Sequence, residues 1–478
     1  MNLLALEAST SSAKAMLYDA RLGTFQTVSE AYDSSICGEG LTDTEQVFQC
    51  VARLGRQLAR GKEIAAVAVG STWHSVAICD PDMHPLTRTH NWNYMEPSEM
   101  CRRARSDRAL ASELYFRTGC MPHVTYARDM LRYRCEEGMD LKGKLLPSQG
   151  AYNFFRLTGA FCETRCNASG MGILNLKSLE YDDFAAAYSG VACKQFGRLC
   201  DYRDALPLTR DGAALLGVDV GIPVVPAHAD GALNQLGDGA AKRGQMTISV
   251  GTSGAVRLTT AQPSLPESHA LWCYRGAVDY MSGAATAGAC NCINWYKDCC
   301  IQGLFSFERL EDGAALPDDS PVFLPFLFGE RCPGWRDDRL GGFVEVRPEH
   351  TMADLYLAVQ RGVLFNLYQC YEELVRCMGP EDRICLSGGI LNSERWCQMA
   401  ADIFGREMEI SRNRDASLMG GVVLGMHAAG LVDDVAAYQF PSAQSRKKVL
   451  PRAERTKVLR RQYEKYLEWY GRSASDQS

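Results

Sequence analysis

A chain of 478 residues, 46% hydrophobic and 23% charged, has a globular composition and is too long for one ordinary core. Its net charge of −6 argues against a nucleic-acid binder, and no stretch approaches the ~18 unbroken apolar residues of a membrane span. The N-terminus lacks a signal-peptide pattern and the 20 cysteines include no CxxC pair, so a cytoplasmic protein with reduced thiols and no thiol-bound metal is expected.

Taken in chain order, apolar runs at 3–8 and 13–18 around a small, hydroxyl-rich turn predict a β-hairpin. The segment "LTDTEQVFQCVARLGRQLARG" predicts a helix. Thr42 and Glu45 stand at capping-box spacing, Val47, Cys50, Val51, Leu54 and Leu58 mark one face, and Gly61 is the stop. "EIAAVAVG" (63–70) predicts a strand covered on both faces. "ASGMGILN" (168–175) holds only part of a GxGxxG pattern and is read as a tight turn. A second hairpin is expected at about 246–259, followed by a long amphipathic helix around 352–377. "RICLSGG" and "EMEI" read as strands, "SERWCQMAADIFG" as a helix, and "DASLMGGVVLGMHAAG" as a helix with small residues for close packing. Leu450, Leu459, Tyr463 and Tyr466 or Leu467 predict a C-terminal helix docking on the body, in preference to an RNA-binding arm.

The hairpins repeat. "STSSAKAML" begins at residue 9 and "GTSGAVRLT" at 251, an offset of 251 − 9 = 242. The surrounding order of hairpin, helix and buried strand repeats as well. A duplicated α/β protein with two small, hydroxyl-bearing turns suggests a nucleotide held between two lobes, because such turns let backbone N–H groups approach phosphate oxygens. No GxxxxGK[ST] P-loop competes with this reading.

Five segments in order resemble the FGGY carbohydrate kinases, of the actin/Hsp70-like ATPase fold. They are "EASTSSAKAMLYD", "AHADGALNQLGDGA", "TISVGTSGAVR", "LPFLFGERCPGW" and "LSGGILNSERWCQMAADIFG". Within that family, "TGCMPHVTY", "GTSGAVR" and "GERCPGW" are most similar to the gluconate kinases. The resemblance implies two RNase-H-like domains, 1–240 and 241–478, with the active site in the cleft and the acceptor bound mainly by the first. The C-terminal helix is expected on the second domain's chain, with the first domain as a candidate docking body. ATP and Mg²⁺ are the implied cofactors, a small sugar or sugar acid the partner, and a homodimer the candidate assembly.

The same resemblance assigns roles. Asp230 is the general base, against the bland reading of a turn-forming Asp before Gly231. Thr10, Ser11, Ser12 and Lys14 belong to the first phosphate turn and Gly251, Thr252 and Ser253 to the second; each alone is also an ordinary polar turn. Gly388, Gly389 and Asn392 are placed at the adenosine. His74, Trp92, His123 and Tyr126 are placed at the sugar, with structural or core roles as their alternatives. Arg331, in the ER-P signature, is expected to pair with Glu330 or another carboxylate and is left outside the site.

Three departures stand out. Glu7 occupies the usual Asp position, where it is expected to hold Mg²⁺ through water. Ser9 replaces a glycine, which would be strained if φ were positive. Tyr94 stands where the family has a sugar-binding Asp and is included among the substrate residues. The expected reaction is phosphorylation of gluconate to 6-phosphogluconate. The rivals are a xylulose- or polyol-type kinase and a non-catalytic nucleotide-binding sensor.

Overall fold

The computed structural model describes residues 1–313, 320–411, 415–440 and 446–475. Strands β1 (Asn2–Ala8) and β2 (Ser12–Asp19) form the first hairpin, with Leu4 opposite Leu17, and β3 (Thr24–Ala31) extends it. Hairpin neighbours are necessarily antiparallel, whereas a strand returning through a helix joins in parallel. Helix α1 (Thr44–Ala59) makes that return, and β4 (Ile64–Ser71) pairs parallel to β1. With β5 (Leu206–Pro207) and β6 (Pro223–Ala229) the sheet runs β5-β6-β4-β1-β2-β3.

The second sheet contains β7 (Gln245–Val250), β8 (Gly254–Thr260), β9 (Trp272–Arg275), β10 (Tyr280–Thr286), β11 (Arg383–Gly388), β12 (Met408–Ile410) and β13 (Lys448–Val449). Its order is β9-β10-β8-β7-β11-β12-β13. β10-β8-β7-β11-β12 therefore has the order and directions of β3-β2-β1-β4-β6. The duplication read from two hairpins extends to both sheets.

Helix α2 (Asp230–Gly237) follows β6. In the second half come α3 (Met352–Met378), α4 (Glu394–Phe404), α5 (Ala416–Ala428) and α6 (Ala453–Ser475). The small residues of α5 serve two contacts. A Cβ on Gly420 would lie 2.0 Å from the Leu233 carbonyl oxygen of α2, and one on Gly237 would lie 1.8 Å from that of Ala416. On its other side, Gly421 faces Ala5 and Ala68, so α5, from the second half of the chain, sits on the first sheet.

Two expectations change. Asp43, not Thr42, caps α1, because its carboxylate directly precedes the helix and accepts from the Gln46 N–H at 2.9 Å. Glu45 instead accepts from the Tyr152 hydroxyl at 2.6 Å. Helix α6 docks on the second half: Tyr463 and Tyr466 pack on Phe365 of α3, and Arg460 reaches Glu372 at 3.3 Å. Leu450 lies outside that helix and is exposed. All 20 cysteines are free thiols, and no helix among the described residues is long and apolar enough to cross a membrane.

Candidate active site

Parallel pairing brings the chemistry to one edge of each sheet. Ser71 at the end of β4 pairs with both Ala8 of β1 and Ala229 of β6. The residues that follow these ends are Thr10, Thr72–His74 and Asp230, and they converge as ligand-binding loops do at strand C-termini. In the second sheet, Val250 pairs with Gly388, setting the Gly251–Ser253 turn beside the Gly388–Gly389 turn.

Between the halves lies a cavity of about 210 Å³ bordered by Thr10, His74, Trp92, Asp230, Arg257 and Arg331. Trp272 and Tyr274 stack at 4.2 Å and complete its wall. Both halves of the chain line this cavity. Trp73 sits between Gly170 and Gly231, where any Cβ would meet its ring within 2.6 Å.

Asp230 opens α2, and its Oδ1 accepts from the Gly231 N–H at 2.7 Å. Burial, and then the Glu7 carboxylate, push its pKa up from 3.8 to about 6, against the pull of Arg257. The group is therefore poised as a base near neutral pH. His74 is held at φ +66°, an uncommon conformation for a side-chain-bearing residue. Burial and the Arg331 charge keep it well below the usual histidine range. Its neutral ring meets the Gly170 carbonyl through Nδ1, which assigns the proton there and leaves Nε2 as an acceptor. Trp92 donates from Nε1 to Thr10 Oγ1 at 3.0 Å, tying the cavity wall to the first hairpin turn.

Glu7 is buried, and its Oε1 takes the Ser9 hydroxyl and lies 3.4 Å from Lys14 Nζ. Its Oε2 has no hydrogen-bond partner. An unpartnered buried carboxylate oxygen near Asp230 suits a hydrated Mg²⁺, a hard cation that keeps several waters. Ser9 is not at positive φ; its N–H closes the turn onto Ser12 O at 3.0 Å. The feared strain is absent, and the hydroxyl steadies the longer Glu7 side chain.

Of the residues expected at the phosphate turns, Thr10 and Ser253 reach this cavity, Thr252 borders an adjoining cleft of about 560 Å³, and Ser11 is exposed at the turn tip. Ser12 lies within β2. Glu7, and to a smaller extent Asp415 and Asp230, raise the Lys14 pKa, keeping a cation beside the turn. Gly388 has φ +94°, and a Cβ there would come within 2.5 Å of the Val250 carbonyl oxygen. At Gly389 it would meet Cys290 Sγ at 2.8 Å. Asn392 is exposed at the end of the short 3₁₀ turn. For Gly388→Val we expect the thermal midpoint to fall by several degrees through backbone strain and the clash with Val250, read from a thermal melt.

Three substrate candidates fall elsewhere. Tyr94 turns away from the cavity, accepting from Arg134 at 3.2 Å and packing on His90. Tyr94→Phe is expected to leave acceptor KM within about twofold, since a single part-buried hydrogen bond outside the cavity is at stake. His123 lines the adjoining cleft and pairs through Nε2 with Asp337, which Arg105 also binds at 2.9 Å. Tyr126 lies behind His74, with its hydroxyl 2.9 Å from that of Tyr274. Conversely, Arg257 and Arg331 border the cavity, Arg331 against the expectation that it lies outside the site. Glu330, the partner expected for Arg331, is taken by Arg339 at 2.9 Å and Tyr470 at 2.7 Å. The one legible signal was their presence inside "GTSGAVR" and "GERCPGW".

Residues 3–237 match the N-terminal domain of the FGGY family of carbohydrate kinases, and residues 246–429 match its C-terminal domain. The chain belongs to the FGGY family of carbohydrate kinases. This kinase is 27% identical over 463 residues to a gluconokinase of Bacillus subtilis (strain 168), covering 90% of this chain and 88% of that one. It is 25% identical to a xylulose kinase of Escherichia coli (strain K12), covering 78% of each. In fold, the kinase superposes on gluconate kinase from Lactobacillus acidophilus with a TM-score of 0.91 at 24% identity, covering 99% of both chains. Plasmodium falciparum glycerol kinase with ADP gives 0.86 at 15% identity, covering 98% of this chain and 97% of the other. The protein is accordingly an ATP-dependent sugar kinase with two actin/Hsp70-like domains.

Proposed function

We propose that this kinase phosphorylates gluconate, or a related sugar acid, at its terminal hydroxyl to give 6-phosphogluconate or its analogue. The observation that carries the reading is the cavity itself: one carboxylate, Asp230, raised to about 6, together with two arginines and a neutral histidine. Similarity to gluconokinases supports it. Asp230 accepts the proton of the attacking hydroxyl as the O–P bond forms. His74 and Trp92 orient the acceptor. The Thr10–Lys14 and Gly251–Ser253 segments hold the triphosphate, and the Gly388–Asn392 turn takes the adenosine. Mg²⁺ held by Glu7 through water would offset phosphate charge when bound. The reading divides the domains at 240/241, and the 20 free thiols support a cytoplasmic setting for it; a homodimer is part of the same proposal.

ADP release with Mg–ATP against gluconate, other aldonates, xylulose, glycerol and glucitol tests it. The expected result is highest kcat/KM with gluconate or another aldonate. Turnover confined to xylulose or a polyol would replace the substrate assignment with the ketose or polyol one.

A further inference from the structure

One carboxylate of the second half is buried against a cation and a histidine of the first. The side chain of Asp337, six residues after Arg331 in the same loop, is only 5% exposed. Arg105, on the helix Ser98–Ser106 of the first half, binds its Oδ2 at 2.9 Å and also donates to the Pro122 carbonyl at 2.8 Å. His123 Nε2 faces the other oxygen. His123 Nδ1 accepts from the Thr125 N–H at 3.2 Å, so the proton of the neutral ring lies on Nε2 and points at Asp337. Burial alone would raise the Asp337 carboxyl, but His123 and Arg105 outweigh it and hold it at about 2. The group is ionised, and each of its oxygens meets a side chain of the opposite half.

The surroundings of this triad give it a reach beyond packing. In the first half, Arg105 and His123 fix the 120–126 segment, whose Tyr126 lies behind His74 with ring centroids 5.4 Å apart. In the second half, the 330–339 loop is closed on itself. The Glu330 N–H bonds to Arg336 O at 2.8 Å, and the Glu330 carboxylate holds the Gly334 N–H at 3.2 Å and Arg339 at 2.9 Å. Fixing Asp337 therefore fixes the whole loop, Arg331 included. Trp335 of that loop packs on His123 at 5.3 Å and on Tyr126 at 6.3 Å. His123 and Asp337 line the adjoining cleft, which shares Trp92 and Arg331 with the acceptor cavity. A buried ion pair adds little net stability over apolar packing, but it penalises every arrangement in which its partners separate. The arrangement selected here is the approach of the two halves around the acceptor.

We propose that Asp337 is a positioning residue for the acceptor: gripped by Arg105 and His123, it latches the Arg331 loop of the second half to the first and holds the acceptor cavity closed. The inference rests on the kinase reading above but not on the choice of acceptor. Weakening the latch lowers the population of the closed, binding-competent form and raises the apparent KM for the acceptor in proportion. His123 acts through Asp337 and not on the sugar.

Steady-state kinetics with Mg–ATP on the full chain, well below the thermal midpoint of each variant, test it. The acceptor is gluconate or, if gluconate is not turned over, the acceptor of the panel with the highest wild-type kcat/KM, so that a wrong substrate still leaves the latch tested. Asp337→Asn is expected to raise acceptor KM about tenfold while kcat and KM for ATP stay within about threefold. Asp337→Glu should recover part of the KM by restoring the charge. Arg105→Met should raise acceptor KM similarly, and the double variant should be no worse than either, because both changes remove one contact. Asp338→Asn is the comparison: its carboxylate is exposed and 3.9 Å from Arg102, so acceptor KM should move less than about twofold. A merely structural ion pair would lower the thermal midpoint and leave this KM pattern unmoved. An unchanged acceptor KM in Asp337→Asn, an equal rise in Asp338→Asn, or additive losses in the double variant would overturn the proposal. If Asp337→Asn does not fold, Arg105→Lys and His123→Gln carry the same measurement, and an unchanged acceptor KM in both overturns it.

Discussion

Asp230→Asn is expected to lower kcat by about 10³–10⁴-fold while raising the thermal midpoint by a few degrees. The two effects have one origin. Burial and Glu7 raise the folded-state pKa of Asp230 from 3.8 to about 6, so the ionised form needed for proton acceptance is disfavoured in the folded protein. That destabilisation is absent below the unfolded value, grows as pH rises between about 4 and 6, and is complete above. At 1.36 kcal/mol per pK unit, and discounting for partial solvent access, its removal by Asn is worth on the order of 1–3 kcal/mol at pH 7. Wild-type kcat/KM should fall about tenfold per pH unit below about 6, as the carboxylate is protonated. Activity assays across pH and thermal melts of both proteins check the pair of predictions. A variant that loses activity and stability together would mean that Asp230 is structural.

Gly420→Val is expected to cost more than about 4 kcal/mol, observed as loss of soluble protein or a collapse of the thermal midpoint. The position is a crossing of two helix backbones, with a Cβ placed 2.0 Å from the Leu233 carbonyl oxygen. Backbone cannot yield as a side-chain tip does. The same crossing holds α2, and so Asp230, against α5 and the first sheet. Gly425→Ala, on the same helix with its nearest neighbour, the Leu3 side chain, at 3.5 Å from the added Cβ, is the comparison, expected to shift stability by less than about 1 kcal/mol. Equal behaviour of the two variants would contradict the close-packing account.

The elements written in local pattern were readable. Apolar runs around small turns gave both hairpins, and β4 and β11 stand where continuous apolar runs predicted buried strands. Directions and partners across long separations were not readable in the same way. Leu459, Tyr463 and Tyr466 announced an apolar helix face, but only packing showed that Phe365 and Tyr368 of the second half cover it. Tyr94 stands two places after Trp92, but the turn closed by its N–H onto Asn91 O at 3.0 Å sends the side chain to Arg134. Arg257 and Arg331 lie 74 positions apart in sequence, and their meeting depends on how β8 and the distant loop that carries Arg331 fold over the same cavity. Sequence spacing carries no information about such a meeting. Ser9 shows the converse: a residue suspected of straining its turn instead supports Glu7.

The most direct test of the account is to identify the product. Phosphorus NMR of a reaction containing this kinase, Mg–ATP and gluconate, run beside Asp230→Asn, would show where the phosphoryl group goes. The account predicts a new phosphomonoester on the C6 oxygen of gluconate, formed with stoichiometric ADP and absent with the variant. ADP without a gluconate ester, or an ester that forms equally well with Asp230→Asn, would contradict it.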